Sequence, residues 1–170
     1  YGIRSIVLRY FNAAGCDPDA KIGERHMPET HLIPIVLQVA SGRRKDVSIY
    51  GTDYHTPDGT CIRDYIHVLD LCEAHILSLN WLLSGGISKC YNLGNGSGFS
   101  VKEVIDAVVK VTGKSVQTID AEKRSGDPEV LVSDSLLIQQ ELGWLPKYSS
   151  LETLVDHAWR WEIQENRKNQ

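Results

Sequence analysis

Arg63 and Arg124 are the side chains whose type and setting best suit an anionic ligand. Arg63 lies in Gly59-Thr60-Cys61-Ile62-Arg63-Asp64-Tyr65, at a predicted strand after a polar loop, and Arg124 lies in Arg124-Ser125-Gly126-Asp127 ahead of a proline. A planar guanidinium grips phosphate through parallel N–H donors, so two loop-mounted arginines could clamp a diphosphate. Paired with surface carboxylates instead, they would only steady loops. Arg43, Arg44 and Lys45 close a predicted helix, where cations interact with the helix dipole. Asp64 and Asp127 could accept sugar hydroxyls or act as turn and ion-pair residues. Their spacing supports no paired-acid catalysis, and no GxSxG elbow selects a nucleophilic serine.

Gly94, Gly96 and Gly98 sit between a predicted strand and a helix start, as in a dinucleotide fingerprint, but the third glycine would have to be residue 99, which is Phe99. They read as a turn that allows close packing. No GxxG and no YxxxK occurs, so these residues supply neither a glycine-rich cofactor loop nor a tyrosine base with its lysine. Cys16, Cys61, Cys72 and Cys90 form no CxxC pair and read as buried free thiols. The six histidines include no HExxH, which predicts no metal site.

Net charge is −4, with 18 Lys plus Arg against 22 Asp plus Glu, so no global basic field attracts nucleic acid or an anionic membrane. Any anion must be met by a few placed cations. No apolar run reaches the about 18 to 20 residues that span a bilayer, and the expected location is cytoplasmic. With 42% hydrophobic residues the chain can bury a core.

The elements that must position these residues alternate in the α/β manner. Ile6-Val7-Leu8, apolar without alternation, predicts a parallel strand covered on both faces. Residues 12 to 30 read as a long surface loop, and Leu32 to Ser41 as a helix capped by Thr30. Val47 to Tyr50 and Cys61 to His67 are strand candidates, and a helix from about Asp70 carries Cys72, Ile76, Leu79 and Leu83 on one face. Cys90 to Leu93 is a strand. Ser100 and Glu103 have capping-box spacing for a helix with Val101, Val104, Ile105 and Val108. Val116 to Asp120 reads as a strand, Asp134 to Leu142 as a helix, and Ser149 to Glu152 as the capping box of the last helix. Trp144, Trp159 and Trp161 fit core packing.

Taken in order, Leu8-Arg9-Tyr10-Phe11-Asn12-Ala13-Ala14-Gly15, Thr30-His31-Leu32-Ile33-Pro34, Asp58 to Val68, Tyr91-Asn92-Leu93-Gly94 and Leu142-Gly143-Trp144 resemble the UDP-glucose 4-epimerase family of extended short-chain dehydrogenases/reductases. The resemblance runs from Tyr1 to about Trp161, and Asp58 to Val68 is its most specific part. It implies the C-terminal part of a Rossmann-type enzyme: the last Rossmann strand or strands plus a small mixed α/β lobe that binds a UDP-hexose. The NAD-binding glycine loop, the Tyr base and its Lys would lie in a preceding part, so no catalytic residue is expected here.

Position by position, the resemblance implies that Tyr10 and Phe11 border the nicotinamide of NAD and that Asn12 donates to the diphosphate. His31 and Leu32 would border the substrate, and the backbone of Ser48, Ile49 and Tyr50 would face the uracil. Arg63 and Arg124 become the diphosphate clamp and Asp127 a ribose partner. His31 stands where many members have Asn. Leu131 stands where a Tyr or Cys gates the hexose pocket, which implies room for N-acetylhexosamines. Rival readings are an epimerase acting on a UDP-pentose, UDP-GlcNAc or UDP-glucuronate, or a non-catalytic nucleotide-sugar-binding lobe. Homodimers are common in the family.

Overall fold

The computed structural model describes residues 2–168, so Tyr1 lies outside the described residues. Strands β1 (Ile6–Tyr10) and β2 (Asn12–Ala14) lead through the long loop to α1 (Leu32–Ala40) and β3 (Val47–Tyr50). Two short strands, β4 (Ile62–Arg63) and β5 (Tyr65–His67), run into α2 (Val68–Leu83), followed by β6 (Lys89–Leu93), β7 (Phe99–Ser100) and α3 (Val101–Thr112). The chain ends with β8 (Thr118–Ala121), β9 (Val130–Leu131), α4 (Leu136–Leu142) and α5 (Leu151–Lys168).

Parallel pairs β1–β6, β2–β5 and β3–β8 join segments far apart in the chain, and β4 lies between antiparallel β7 and parallel β9. Two cores result. One gathers Val36 and Leu37 of α1, Ile49 of β3, Val104 and Val108 of α3, and Leu154 and Val155 of α5. The other holds Leu71 and Ala74 of α2, Tyr91 and Leu93 of β6, Ile138 of α4 and the fully buried Trp144. Successive strand residues point to opposite faces, so β5 serves both cores: Tyr65 packs in the first and Ile66 in the second.

Several expectations are corrected. The N-cap of α1 is His31, not Thr30, and its side chain makes no capping bond. The predicted strand Cys61 to His67 breaks at Asp64, whose buried side chain is turned to other segments. Helix α2 buries Asp70, Leu71, Ala74 and Ser78, so the apolar stripe Ile76, Leu79 and Leu83 faces outward. Asp70 tolerates burial because its carboxylate accepts the Lys147 and Tyr148 backbone N–H groups at 2.8 and 3.0 Å. Ile6 and Leu8 pack on the second core, but Val7 is 52% exposed, so β1 is covered on one face only within this chain. The last helix is capped by Ser150, which accepts from Thr153 N, rather than by a Ser149–Glu152 box. Cys72 and Cys90 are exposed, while Cys16 and Cys61 are buried as expected. Trp159 and Trp161 are only partly buried. The Ser100–Glu103 capping box forms as predicted.

His67 welds α2 to α5. Its Nδ1 accepts from Leu69 N at 3.1 Å, so the neutral ring carries its proton on Nε2, 3.0 Å from His157 Nδ1. Burial, reinforced by His157, pushes the His67 pKa down to about 4. The unfolded chain therefore takes up a proton that the fold refuses. Stability is fully present above the unfolded value of about 6.5 and should fall by on the order of 3 kcal/mol as pH drops from there to about 4. Urea titrations at pH 7 and pH 4.5 check this, and equal unfolding midpoints would contradict it.

Candidate functional site

The Asp58-Gly59-Thr60 lead-in builds a turn. Asp58 Oδ1 accepts from Thr60 N at 2.8 Å and Thr60 Oγ1 at 2.7 Å, its second oxygen accepts from Ser100, and Lys102 Nζ donates to its backbone oxygen at 2.8 Å. Burial alone would raise the Asp58 pKa, but the Ser100 and Thr60 hydrogen bonds outweigh it and hold the carboxyl below its usual value. Gly59 is required because its φ is +82° and a Cβ there would sit 2.1 Å from Thr52 O. The turn launches β4, which delivers Arg63 to the rim of a cavity of about 240 Å³.

Asn12, His31, Leu32, Ser48, Tyr50, Arg63, Arg124 and Asp127 all line that cavity. Arg63 Nη2 donates to Asp127 Oδ1 at 2.5 Å. Arg124 lies over the Tyr50 ring, 3.8 Å from its centroid, and this guanidinium lowers the Tyr50 pKa by hydrogen bonding and charge. Asn12 Nδ2 donates to Asp64 O at 2.8 Å, which fixes its amide beside β5. Arg44 also lines the cavity, so three arginines face it, with Asp127 as the one carboxylate among the described residues. A chain of net charge −4 thus concentrates cations around one cleft with an aromatic wall.

The remaining candidates lie elsewhere. Ile49 is a core residue, 5% exposed, and so offers only backbone to a ligand. Leu131 pairs with Arg63 in the β4–β9 register rather than lining the cavity. Tyr10 and Phe11 are exposed at the C-terminal end of β1, the end of a parallel sheet where cofactors and substrates sit. Gly94 does not cradle a phosphate. A Cβ on it would sit 2.3 Å from Asp64 Oδ2, so a carboxylate of the chain fills that space. A larger cavity, about 340 Å³, lies against Ile33, Leu37 and Trp161 and contains none of the predicted ligand residues.

The model of the NAD dependent epimerase/dehydratase family matches residues 1–94, more than half of the chain. The chain belongs to that family. It is 58% identical over 161 residues to the UDP-glucose 4-epimerase of Halalkalibacterium halodurans, an alignment covering 95% of this chain and 48% of that protein. The UDP-glucose 4-epimerase of Brucella ovis, solved with NAD, superposes with a TM-score of 0.91 at 46% identity over 94% of this chain and 49% of that one. The Stenotrophomonas maltophila enzyme, solved with NAD and formylated UDP-arabinopyranose, gives 0.92 at 40% identity over 96% and 48%. The chain spans about half the length of the curated relatives it matches.

In this member of the NAD dependent epimerase/dehydratase family, the sequence reading missed two roles. Arg44 was read as a helix-end charge, whereas β3 follows so closely that Arg44 returns to the cavity. Asp64 was weighed as a sugar ligand, but it is 2% exposed and its carboxylate accepts Asn95 N at 2.9 Å, Ser133 N at 3.1 Å and Gly96 N at 3.4 Å. Asp64→Ala would orphan these backbone donors and should cost about 1 to 3 kcal/mol, the range for a buried donor left without a partner. Denaturant unfolding of the variant checks it, and a loss under about 1 kcal/mol, typical of a surface change, would refute it.

Proposed function

We propose that this chain forms the UDP-sugar-binding part of a cytoplasmic NAD-dependent UDP-glucose 4-epimerase. The observation that carries the reading is the 240 Å³ cavity in which Arg63, Arg124 and Arg44 converge beside Asp127 and Tyr50. Guanidinium groups on separate loops suit the two phosphates of a nucleotide diphosphate. Asp127, once Arg63 turns to phosphate, is free to accept ribose hydroxyls. Asn12 adds an amide donor, while His31 and Leu32 border the sugar end, and Tyr50 with the Ser48 and Ile49 backbone forms the wall for the base.

NAD supplies the hydride acceptor and donor at the sugar C4 in this reading. The residues here that would meet it are Tyr10 and Phe11, exposed where β1 ends. The glycine turn at 94–98 is filled from within by Asp64 and Ile62, so the rest of the cofactor is held outside this chain. The acid–base step likewise belongs to a part bearing YxxxK, and the 170 residues alone would bind without turnover. The solved relative with a UDP-arabinopyranose derivative favours a second reading, a UDP-pentose epimerase, which substrate profiling separates. The family assembly carried by this reading is a homodimer.

In the complete protein, Arg63→Ala should weaken UDP binding by about 1.5 to 3 kcal/mol, roughly ten- to 150-fold, as for a lost charged hydrogen bond. Calorimetry that finds the affinity unchanged would remove Arg63 from the site. Leu131 does not line this cavity; the family resemblance implies a position at the hexose end of the complete site, where a side chain smaller than Tyr leaves room, so the complete enzyme should turn over UDP-GalNAc and its Leu131→Tyr variant should lose that activity while keeping UDP-galactose. Equal failure of both proteins on UDP-GalNAc would overturn the assignment of Leu131.

A further inference from the structure

The long loop before α1 gathers a second group of side chains that the nucleotide site does not use. Glu24, His26, Glu29 and His31 follow an E-x-H-x-x-E-x-H spacing, and one donor atom from each lies within 4.8 Å of all the others. His31 Nδ1 is 2.9 Å from Glu24 Oε1 and 3.0 Å from Glu29 Oε1, and His26 Nδ1 is 3.7 Å from Glu29 Oε1. A tetrahedral zinc site with bonds of about 2.0 to 2.1 Å has donors about 3.3 Å apart. Three of the six separations bracket that edge length, and the remaining ones stay within 4.8 Å. The four side chains thus already face one another before any ion enters.

Its chemistry narrows the choice of ion. Imidazole with carboxylate suits zinc and its first-row neighbours, whereas calcium and magnesium prefer oxygen donors throughout. Two carboxylates offset a divalent charge. The cation nearest in sequence, Arg25, is turned away from the cluster and donates to Glu165 at 2.6 Å. Glu29 is held in place from its own backbone side: its Oε1 accepts from Thr30 N at 2.7 Å and His31 N at 2.8 Å, which commits that oxygen and leaves Oε2 to meet an ion, and its side chain is 8% exposed. Such outer hydrogen bonds are what orient a ligating carboxylate. The cluster also sits at a partition. Glu24, His26 and Glu29 line the 340 Å³ cavity, while His31 lines the nucleotide cavity.

We propose that Glu24, His26, Glu29 and His31 form a zinc-class divalent metal site that pins the long loop to the start of α1. The histidine spacing alone predicted no metal site because neither HExxH nor a Cys partner is present; the four ligands instead come from a loop without helical period. The test uses the complete protein without a histidine tag, stripped by chelator and titrated with Co²⁺ and Zn²⁺. The expected result is one equivalent of Co²⁺ per chain with the intense visible absorption of a tetrahedral ion, displaced by Zn²⁺ but not by Ca²⁺ or Mg²⁺. Glu24→Gln and His26→Asn, which avoid the nucleotide cavity, should each weaken uptake at least about tenfold, since even outer-shell losses cost ten- to 100-fold. Circular dichroism should show both variants folded. Absence of stoichiometric uptake, or uptake unchanged in a folded Glu24→Gln/His26→Asn double variant, would overturn the site. Preference for Ca²⁺ over Zn²⁺ would do the same.

Discussion

The buried Asp64 carboxylate is the constraint on which the rest of the structure depends. It stands between β4 and β5 and receives backbone N–H groups from the glycine turn and from the segment after β9, while its own carbonyl holds Asn12. A carboxylate removed from water is tolerable only when its lone pairs are met. Two segments remote in sequence must therefore converge on the carboxylate, and a third meets the same residue at its backbone carbonyl. Because Arg63 precedes Asp64 directly, the same anchor that joins the two cores also sets the height at which the guanidinium meets the cavity.

Local electrostatics run against the global balance. An acidic protein repels anions at long range, and screening limits that repulsion to about 8 to 10 Å at ordinary salt. Within the cleft, the three arginines face a ligand over shorter distances than this. Arg63 is held by Asp127 and Arg124 by the face of Tyr50, so neither has to be recruited from solvent. Holding the side chains in advance lowers the ordering cost that would otherwise be charged against binding.

What the sequence made legible was whatever is encoded locally. Ser100 and Glu103 lie three residues apart and cap each other, so their helix could be read directly. The string from Asp58 to Val68 announced its importance, and its first residues turn out to be turn chemistry that delivers Arg63. Eight of the ten substrate-site candidates line one cavity. Non-local compensation was not legible. Helix α2 buries Asp70 because loop N–H groups near residue 147 satisfy it, whereas its outward stripe is apolar, which inverts the usual inference from periodicity. β7 and β9, two residues each, are too short to carry a period. Arg44 entered the cavity only once β3 had found β8.

The pairings that build the cleft, Asn12 with Tyr65, Val47 with Thr118 and Arg63 with Leu131, each close a long stretch of chain. Such contacts repay their loop-closure entropy only after they form, so they are slow to assemble. The cleft exists only when all of them are in place, and a partly folded chain offers a nucleotide almost nothing to bind. A ligand that recognises the finished cleft alone would withdraw native molecules from the folding equilibrium in proportion to its concentration over Kd. In a cell, whatever ligand fits the finished cleft would then act as a chaperone for the fold that binds it.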